Sequence, residues 1–405
     1  MREPGTPRLL RAINDRSVLD LLLAHGPLSR PALGELTGLS KPTMSQILAR
    51  LESAHLVRRG GSTAGRPGPN ALLYEVDPTA AYVAGLDVTA RRIRAAVADI
   101  TGEVVGTFEL PTPGRAAEDT VERVGRAVDG ACAAAGVTRA DLTTLVVGTP
   151  GAFDPRTQRL RYARHLPGWH GPELLSALAD ALGTTVVVEN DVNLAAIAEL
   201  NAGAARGGDD FVLLWAEEGV GAAIVLDGRL HRGVTGGAGE VGFLPVPGTP
   251  LVRNVGVSNA GGFQELVGAK AVQALARQHG FKAPDARAGV AAAVASPGGE
   301  AFLAELGHRL AVGLAAVVAL LDPALVVLSG AVVGAGGERL RAVVQRELDD
   351  LAATRPRLEL AEVTTDPVLT GALHAALRTA RDLVFDTTAD RHGRPARTTQ
   401  TGETG

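Results

Sequence analysis

The stretch Thr185-Val-Val-Val-Glu-Asn-Asp-Val-Asn-Leu-Ala-Ala-Ile-Ala-Glu199 decides the fold of this chain. Its three consecutive valines predict a strand buried on both faces, because no polar residue alternates with them. The apolar positions that follow predict a helix packed on this strand. Glu189, Asn190 and Asp191 lie between the two elements. Open α/β folds bind ligands at such places, where polar side chains at the carboxyl end of a buried strand meet a helix N-terminus.

The junction between this strand and helix allows two interpretations. Asp191 fits a general base that accepts a proton from a substrate hydroxyl, with Asn190 fixing the orientation of that substrate. Alternatively, Asp191 or Asn193 only caps the helix, which is the commoner role of such residues. The remainder of the chain bears on the choice between a ligand site and a simple cap.

The composition excludes several classes of protein. The 405 residues are enough for two or three domains, and 46% hydrophobic and 3% aromatic residues suit an α/β protein rich in Ala, Val and Leu. The single cysteine, Cys132, excludes an internal disulfide framework and a thiolate-rich metal site. The longest apolar run, near Gly313 to Leu321, is too short to span a bilayer, and no apolar signal segment follows Met1. We therefore expect a cytoplasmic protein without a membrane partner.

The charge distribution draws attention to the N-terminal segment. Residues 1 to 78 contain ten Lys and Arg against seven Asp and Glu, whereas the whole chain has a net charge of −4. A mildly basic segment in front of an acidic body is a weak indication of nucleic-acid binding.

Three helices are predicted within this segment. The first covers about Asn14 to Ala24, while Ser29 and Ser40 are placed to cap the second and third. The third helix has an apolar face at helical spacing, formed by Met44, Ile47, Leu48 and Leu51. Its other face carries polar or basic side chains that can reach phosphates and base edges, namely Lys41, Thr43, Ser45, Gln46 and Arg50. Two helices joined by a short Gly-containing turn, the second with such a face, indicate a helix-turn-helix.

Two strands and a loop follow the third helix. Leu56 to Arg59 and Leu72 to Val76 have strand character, the latter with Leu72, Tyr74 and Val76 facing inward. The intervening Gly-rich loop carries one cation, Arg66, placed to enter a minor groove or to contact phosphate. Residues 1–78 therefore form a predicted winged helix-turn-helix, all-α with a β wing, that binds operator DNA. A three-helix protein-interaction module with a solvated polar face is the alternative.

The rest of the chain contains two similar strand-turn-strand units. Tyr82 to Asp87, Ile93 to Asp99 and Val104 to Leu110 are predicted strands, followed by a helix and the buried strand around Leu145 to Val147. A comparable hairpin begins at Phe211. Two related units of this kind suggest two lobes around a cleft, with the stretch from Thr185 to Glu199 where the lobes meet.

Four motifs within residues 80 to 380 resemble the ROK family of sugar kinases and repressors. They are Gly148-Thr-Pro-Gly151, Val187-Val-Glu-Asn-Asp-Val-Asn193, Asp227-Gly228 and Gly237-Ala-Gly-Glu-Val-Gly242. The family has the two-lobed, actin-like or ribonuclease H-like fold of sugar kinases, and its transcriptional regulators carry a winged helix in front. The resemblance therefore implies an α/β sugar-kinase fold and a sugar-binding role for residues 79–386.

The resemblance also assigns ligand-binding roles. In the family, the Asp of the Glu-Asn-Asp motif is the catalytic base for the sugar hydroxyl and the preceding Asn binds the sugar; Asp191 and Asn190 match these positions. Two further sugar-binding glutamates are matched by Glu240 and Glu265, and Gly151 completes the expected site. Carboxylates and amides suit a sugar because it offers several hydroxyl donors.

The zinc site of the family is altered. The family has a histidine three residues after its first sugar-binding glutamate, whereas this chain has Phe243. The zinc-ligating cysteines fall at Gly256, Ser258 and Phe263, none of which can ligate zinc. We therefore expect no metal.

The phosphate-binding loops are altered as well. Kinases of the family carry Asp-Ile-Gly-Gly-Thr-Lys, Gly-Thr-Gly and Gly-Gly-Gly at three loops. This chain reads Asp87-Val-Thr-Ala-Arg-Arg92, Glu217-Glu218-Gly219 and Ser329-Gly330-Ala331. Side chains in the first loop obstruct the approach of backbone N–H groups to phosphate, and two carboxylates in the second repel it. We expect neither ATP nor another cofactor, and no catalytic residue.

These observations lead to one expected function and two alternatives. We expect a sugar-responsive repressor of carbohydrate metabolism genes that binds operator DNA as a homodimer or homotetramer, with Asp191 as a sugar ligand. An active sugar kinase with an attached DNA-binding domain is favoured only by Asp191. A regulator whose effector is a protein or a non-sugar metabolite is favoured by Phe243 and the altered zinc segment. Residues 387–405, rich in Thr, Arg and Gly, are expected to form a disordered tail.

Overall fold

The structure is a computed structural model, and it describes residues 7–62, 72–112, 119–154, 156–161, 166, 168–171, 173–253 and 261–391. Within these residues an N-terminal winged helix precedes two α/β lobes, and the chain ends in a long helix. Arg66, Gly256 and Ser258, for which roles were predicted, lie outside the described residues. The predicted tail lies mostly outside them, although the last helix continues to Arg391, beyond the expected boundary at residue 386.

The winged helix consists of three helices and a small antiparallel sheet. Its elements are α1 Pro7–His25, β1 Leu28–Ser29, α2 Arg30–Thr37, α3 Lys41–Ser53, β2 Val57–Ser62 and β3 Leu72–Val76. The predicted caps are confirmed, because Ser29 and Ser40 accept hydrogen bonds from backbone N–H groups of α2 and α3. The predicted apolar face of α3 is buried. Hydrophobic contacts and cap hydrogen bonds therefore agree on the orientation of α3.

Two details of this domain differ from the prediction. The first helix begins at Pro7 rather than near Asn14. Leu72 was expected to face inward, but 38% of it is exposed. Leu72 is the first residue of β3, and β1 pairs only with Leu73 and Tyr74 further along that strand.

Two five-stranded sheets with the same topology form the lobes. The strands of the first are, in spatial order, Thr185–Asn190 (β10), Leu142–Thr149 (β7), Tyr82–Val88 (β4), Arg92–Asp99 (β5) and Val104–Pro111 (β6). Those of the second are Arg357–Leu360 (β15), Leu325–Ser329 (β14), Phe211–Ala216 (β11), Val220–Leu226 (β12) and Arg229–Leu230 (β13). In each sheet the first two pairings in this order are parallel and the last two are antiparallel. The predicted duplication of a hairpin unit is therefore confirmed.

The lobes contain the following elements. The strands are β4 Tyr82–Val88, β5 Arg92–Asp99, β6 Val104–Pro111, β7 Leu142–Thr149, β8 Ala152–Asp154, β9 Arg159–Arg161, β10 Thr185–Asn190, β11 Phe211–Ala216, β12 Val220–Leu226, β13 Arg229–Leu230, β14 Leu325–Ser329 and β15 Arg357–Leu360. The helices are α4 Thr120–Ala135, α5 Leu174–Leu182, α6 Asp191–Ala202, α7 Gln264–Val267, α8 Ala269–Gln278, α9 Ala286–Ala295, α10 Glu300–Leu321, α11 Ala331–Leu351 and α12 Pro367–Arg391.

The three valines of β10 are not buried on both faces, which corrects the prediction. β10 pairs only with β7 and is therefore the edge strand of the first sheet. Val186 packs in the core of this lobe, whereas Val187 is 40% exposed on the other face. A run without polar residues predicts a strand but does not reveal whether one of its faces remains uncovered.

The last helix, α12, holds the first lobe together. It contacts α6, β4 and β7 within the lobe and α1 of the winged helix. Gly371 lies where α12 crosses α6, and a Cβ atom there would come within 1.8 Å of the carbonyl oxygen of Leu194. Only glycine allows this close approach of the two helices, so α6 and α12 are in direct backbone contact at this point.

Among the described residues, one helix is long and apolar enough to cross a membrane. It comprises α10 with its preceding turn, Pro297–Leu321, and has a mean hydropathy of 1.6 over its most apolar window. By its length alone, this helix therefore does not support the expectation that the region is too short to span a bilayer. Half of that window is buried inside the protein, and core helices of soluble proteins have the same composition. Phe302, Leu306 and Leu310 of this helix belong to the core of the second lobe.

Candidate functional site

A cavity of about 1060 Å³ lies between the two lobes. Asn190 and Asp191 line it, as do Gly151 and Glu240 from neighbouring loops. The structure therefore brings together four of the five positions for which ligand binding was predicted. A cavity of this size at the carboxyl ends of parallel strands can hold a small polar molecule.

Asn190 is the residue that caps α6, and it also organises the loop beside it. Its Oδ1 accepts a hydrogen bond from the backbone N–H of Asn193 at 3.1 Å. Its Nδ2 donates to the carbonyl oxygen of Gly151 and to Oδ1 of Asp191, both at 3.0 Å. The cap is therefore Asn190, whereas the alternative interpretation named Asp191 or Asn193. Capping by Asn190 leaves Asp191 in the first turn, directed to the cavity.

Asp191 keeps one carboxylate oxygen for a ligand. Oδ1 accepts from Asn190 and from the backbone N–H of Val192, whereas within the described part of the chain Oδ2 has no hydrogen-bond donor. Burial and, to a smaller extent, the nearby carboxylates Asp87, Glu240 and Glu217 together raise the pKa of Asp191 to about 7, although the hydrogen bond from the backbone of Val192 lowers it. A ligand hydroxyl that donates to Oδ2 would stabilise the ionised form.

Glu189 connects the two lobes, which the sequence analysis did not predict. Its Oε1 accepts from Asn193 Nδ2 at 2.8 Å, and its Oε2 accepts from Arg232 Nε at 2.6 Å. Glu189 is the penultimate residue of β10 in the first lobe, whereas Arg232 follows β13 of the second. The sequence shows a glutamate just before a predicted helix, but it does not indicate which distant residue pairs with that glutamate.

Glu240 reaches the cavity from a tightly packed glycine-rich turn. Gly239 has a φ of 94°, and a Cβ atom there would lie 1.9 Å from the carbonyl oxygen of Ala222. The turn therefore needs glycine at this position, which fixes the adjacent Glu240. Burial raises the pKa of Glu240 to about 7.

Glu265 does not line the cavity, which corrects the prediction. Its Oε1 accepts a hydrogen bond from the backbone N–H of Gly261 at 3.0 Å, and the side chain is exposed. The short helix α7 begins one residue earlier, and this places Gln264 at the cavity instead.

Phe243 and Phe263 occupy two positions of the altered zinc segment. Phe243 lines the cavity. Phe263 is fully buried in the core of the second lobe. Within the described residues there is no group of three or more His, Cys, Asp or Glu side chains that could hold a metal ion. The absence of zinc stays a prediction.

The cavity wall formed by the second lobe also carries carboxylates. Glu217 and Glu218 line it at the turn between β11 and β12, with Arg287 and Arg92 nearby. Burial and the adjacent Glu218 raise the pKa of Glu217, and burial also raises that of Asp87. An arriving polyphosphate would meet carboxylates at this turn, where a phosphate site needs backbone donors or cations.

The predicted DNA-binding residues occupy one side of α3, with different local contacts. Lys41 and Gln46 are exposed, and Thr43 is half-buried. Ser45 accepts a hydrogen bond from Arg30 Nη1 at 3.0 Å. Arg50 pairs with the buried Asp15 of α1 through Nε and Nη2, which gives it a structural role that was not predicted.

Comparisons with known proteins agree with this architecture. The ROK family model matches residues 83–379, which is more than half of the chain, and a MarR family model matches residues 13–66. The xylose repressor of Bacillus subtilis is 24% identical over 237 residues. That stretch spans 58% of this chain and 61% of the repressor, which is less than two thirds of its length.

Solved structures show the same fold. The ROK hexokinase of Thermus thermophilus has a TM-score of 0.64 and 28% identity, and it covers 74% of this chain and 99% of its own. A ROK family transcriptional regulator, a homologue of the E. coli MLC protein, has a TM-score of 0.72 and 20% identity. It covers 94% of this chain and 99% of its own, including the winged helix. From the family match over most of its length, the chain belongs to the ROK family.

Proposed function

We propose that this protein is a sugar-responsive, DNA-binding transcriptional regulator, and specifically a repressor. The observation that carries the proposal is the combination of a winged helix with a kinase-like cavity that keeps sugar-side groups and has lost phosphate-side ones. Asn190, Asp191 and Glu240 line the cavity, but Glu217 and Glu218 stand at the phosphate side. The xylose repressor among its relatives supports both the DNA partner and a sugar effector.

The effector would act by shifting a conformational equilibrium. A ligand bound between the lobes stabilises their closed arrangement only to the extent that it binds that arrangement more tightly. In a homodimer, such a change would alter the spacing of the two α3 helices and hence the fit to two operator half-sites.

Selection of DNA followed by ligand titration tests this function. Repeated selection from a random duplex library should yield a preferred sequence, and Kd for that duplex should then change with one member of a sugar and sugar-phosphate panel that includes D-xylose. Asp191→Asn should weaken the binding of the active sugar by about 1–3 kcal/mol, because a charge-assisted hydrogen bond is lost. The function is refuted if no duplex is preferred, or if a preferred duplex responds to no ligand of the panel.

An active sugar kinase is the second candidate, favoured by one observation. Asp191 has a free carboxylate oxygen at the cavity and a pKa of about 7, and both suit a general base at neutral pH. A coupled assay for ADP release with the same sugars decides the case. Turnover that disappears in Asp191→Asn would make the protein an enzyme.

A regulator with a non-sugar effector is the third candidate. Phe243 presents an apolar ring to the cavity where the family has a polar sugar contact. Thermal-shift screening separates the cases, since a bound metabolite raises the unfolding temperature whatever its chemistry. Stabilisation by non-sugar compounds alone would favour this candidate.

A further inference from the structure

One continuous helix joins the cavity to the winged helix. Asp366, Pro367 and Val368 at the start of α12 line the cavity, and the C-terminal part of α12 lies against α1. At 1.5 Å per residue, its 25 residues extend over about 37 Å. We propose that α12 couples the cavity to the DNA-binding domain and that Arg16 of α1 is the positioning residue at the receiving end. This inference rests on the proposed function and names the route of its regulation.

The cavity end of α12 is packed so tightly that it follows its surroundings. Val368 lies over Gly148 of β7, and Gly371 lies against the carbonyl oxygen of Leu194 in α6. Asp366 forms an ion pair with Arg94 of β5. Since α6 begins with Asp191, a ligand that shifts the first turn of α6 must also shift α12, because close-packed interiors do not absorb such displacements.

The far end of α12 contacts α1 through polar and apolar groups. Arg16 Nη1 lies 3.0 Å from Asp382 Oδ1, and the Arg16 guanidinium lies 5.2 Å from the centroid of the Phe385 ring. Phe385 is buried in the same hydrophobic cluster as Leu19 and Leu22 of α1. The winged helix and the first lobe therefore share one core at this contact.

Arg381 defines which lobe the winged helix follows. Its guanidinium donates to the carbonyl oxygens of Ile100 and Thr101 at 3.0–3.1 Å. These two residues form the turn between β5 and β6 of the first lobe. The end of α12 that holds α1 is thus fixed to the first lobe, so the winged helix follows the first lobe when the lobes close.

The contact continues from α1 to the DNA-reading helix. Asp15, the neighbour of Arg16, is 5% exposed and accepts hydrogen bonds from two guanidinium nitrogens of Arg50 in α3. Arg50 is one helical turn from Gln46 and donates to its carbonyl oxygen. Adjacent residues of α1 therefore hold α12 on one side and α3 on the other.

A double-mutant cycle on DNA binding tests this route without an identified effector. The probe is the duplex selected by the wild-type protein. Val368→Ala perturbs the cavity end, Arg16→Asp replaces attraction to Asp382 by repulsion, and Arg16→Asp/Asp382→Arg restores an ion pair. Val368→Ala should weaken binding about threefold in the wild type and in the restored pair, but less than about 1.5-fold in Arg16→Asp. Arg339→Asp, which breaks the ion pair with Glu300 in the second lobe, is the matched control and should behave as the wild type.

Hydrogen exchange supplies a second readout, because coupling between two sites is reciprocal. Duplex binding should change the exchange of amides 368–375 in the wild type and in the control, but not in Arg16→Asp. If Arg16 had only a structural role, Arg16→Asp would lower thermal stability. It would leave unchanged both the effect of Val368→Ala on duplex affinity and the exchange response of amides 368–375. Equal effects of Val368→Ala in all backgrounds, or no effect in any, overturn the inference. Failure to select any duplex refutes the proposed function itself.

Discussion

Asp191 is the residue at which the chemistry of the site is concentrated. Its pKa is about 7 in the folded protein, against about 3.9 in an unfolded chain. Between these values the folded protein holds a proton that the unfolded chain has lost. The contribution of protonated Asp191 to the free energy of unfolding is therefore fully present below about pH 4 and is lost as the pH rises through 7.

Asp191→Asn should consequently stabilise the ligand-free protein in a pH-dependent way. At pH 8 the variant avoids burying a charge, and we expect its free energy of unfolding to rise by roughly 1–2 kcal/mol, with little change at pH 4. Denaturant unfolding at both pH values measures the difference. Asp141→Asn is the control with opposite sign, because hydrogen bonds from the backbone and hydroxyl of Thr138 lower the pKa of Asp141. A gain that is equal at the two pH values contradicts the assignment.

At the scale of single elements, we expect different residues of α3 to read the DNA sequence and to contact phosphate. Gln46 is exposed on the polar face, and an amide can read a base edge with two hydrogen bonds. Gln46→Ala should reduce the preference for one base pair by about 1–3 kcal/mol. Lys41→Ala should weaken binding to all duplexes and reduce the salt dependence of binding by about one phosphate contact. Binding of single-base variants of the selected duplex at several salt concentrations measures both. Identical profiles for the two variants would refute this division.

The segment that replaces the zinc site gives a second prediction at this scale. Phe263 fills the core of the second lobe, and Phe243 lines the cavity. We expect tag-free protein to contain much less than about one zinc per chain, and chelators to leave its unfolding temperature unchanged. Elemental analysis together with thermal unfolding in EDTA provides the measurement. Stoichiometric zinc, or a lower unfolding temperature after chelation, would contradict the expectation.

Local patterns of the sequence were enough to predict most elements but not their surroundings. The caps Ser29 and Ser40 and the apolar face of α3 depend on residues three or four positions apart, and all were predicted. The exposure of Val187 depends on whether another element packs on that face of β10, which no local pattern states. Glu265 was misplaced because a single residue at the start of α7 decides whether a side chain faces the cavity or solvent.

At the scale of the whole molecule, the contacts that join its parts connect distant positions. Arg232 with Glu189, and Arg16 with Asp382, are formed only after the chain has folded. The repeated hairpin unit predicted two lobes around a cleft, and the family resemblance implied the same fold, but neither predicted these pairs. They connect the first lobe to the second lobe and to the winged helix, and in the proposed function they would link the ligand site to the DNA site.

We propose that sugar binding is separated from phosphoryl transfer in this cleft, and this proposal leads to the last prediction. Phosphoryl transfer needs donors and metal around the nucleotide, whereas sugar binding needs only the opposite wall. Calorimetry with magnesium and AMPPNP should show no binding at about 1 mM, because Glu217 and Glu218 face the phosphates. Glu217→Gly/Glu218→Thr should raise nucleotide affinity by removing that repulsion. The control Glu300→Gln/Glu338→Gln removes two exposed carboxylates elsewhere on the second lobe and should not raise nucleotide affinity. Nucleotide binding to the wild type or to this control would show that the cleft still accepts nucleotide.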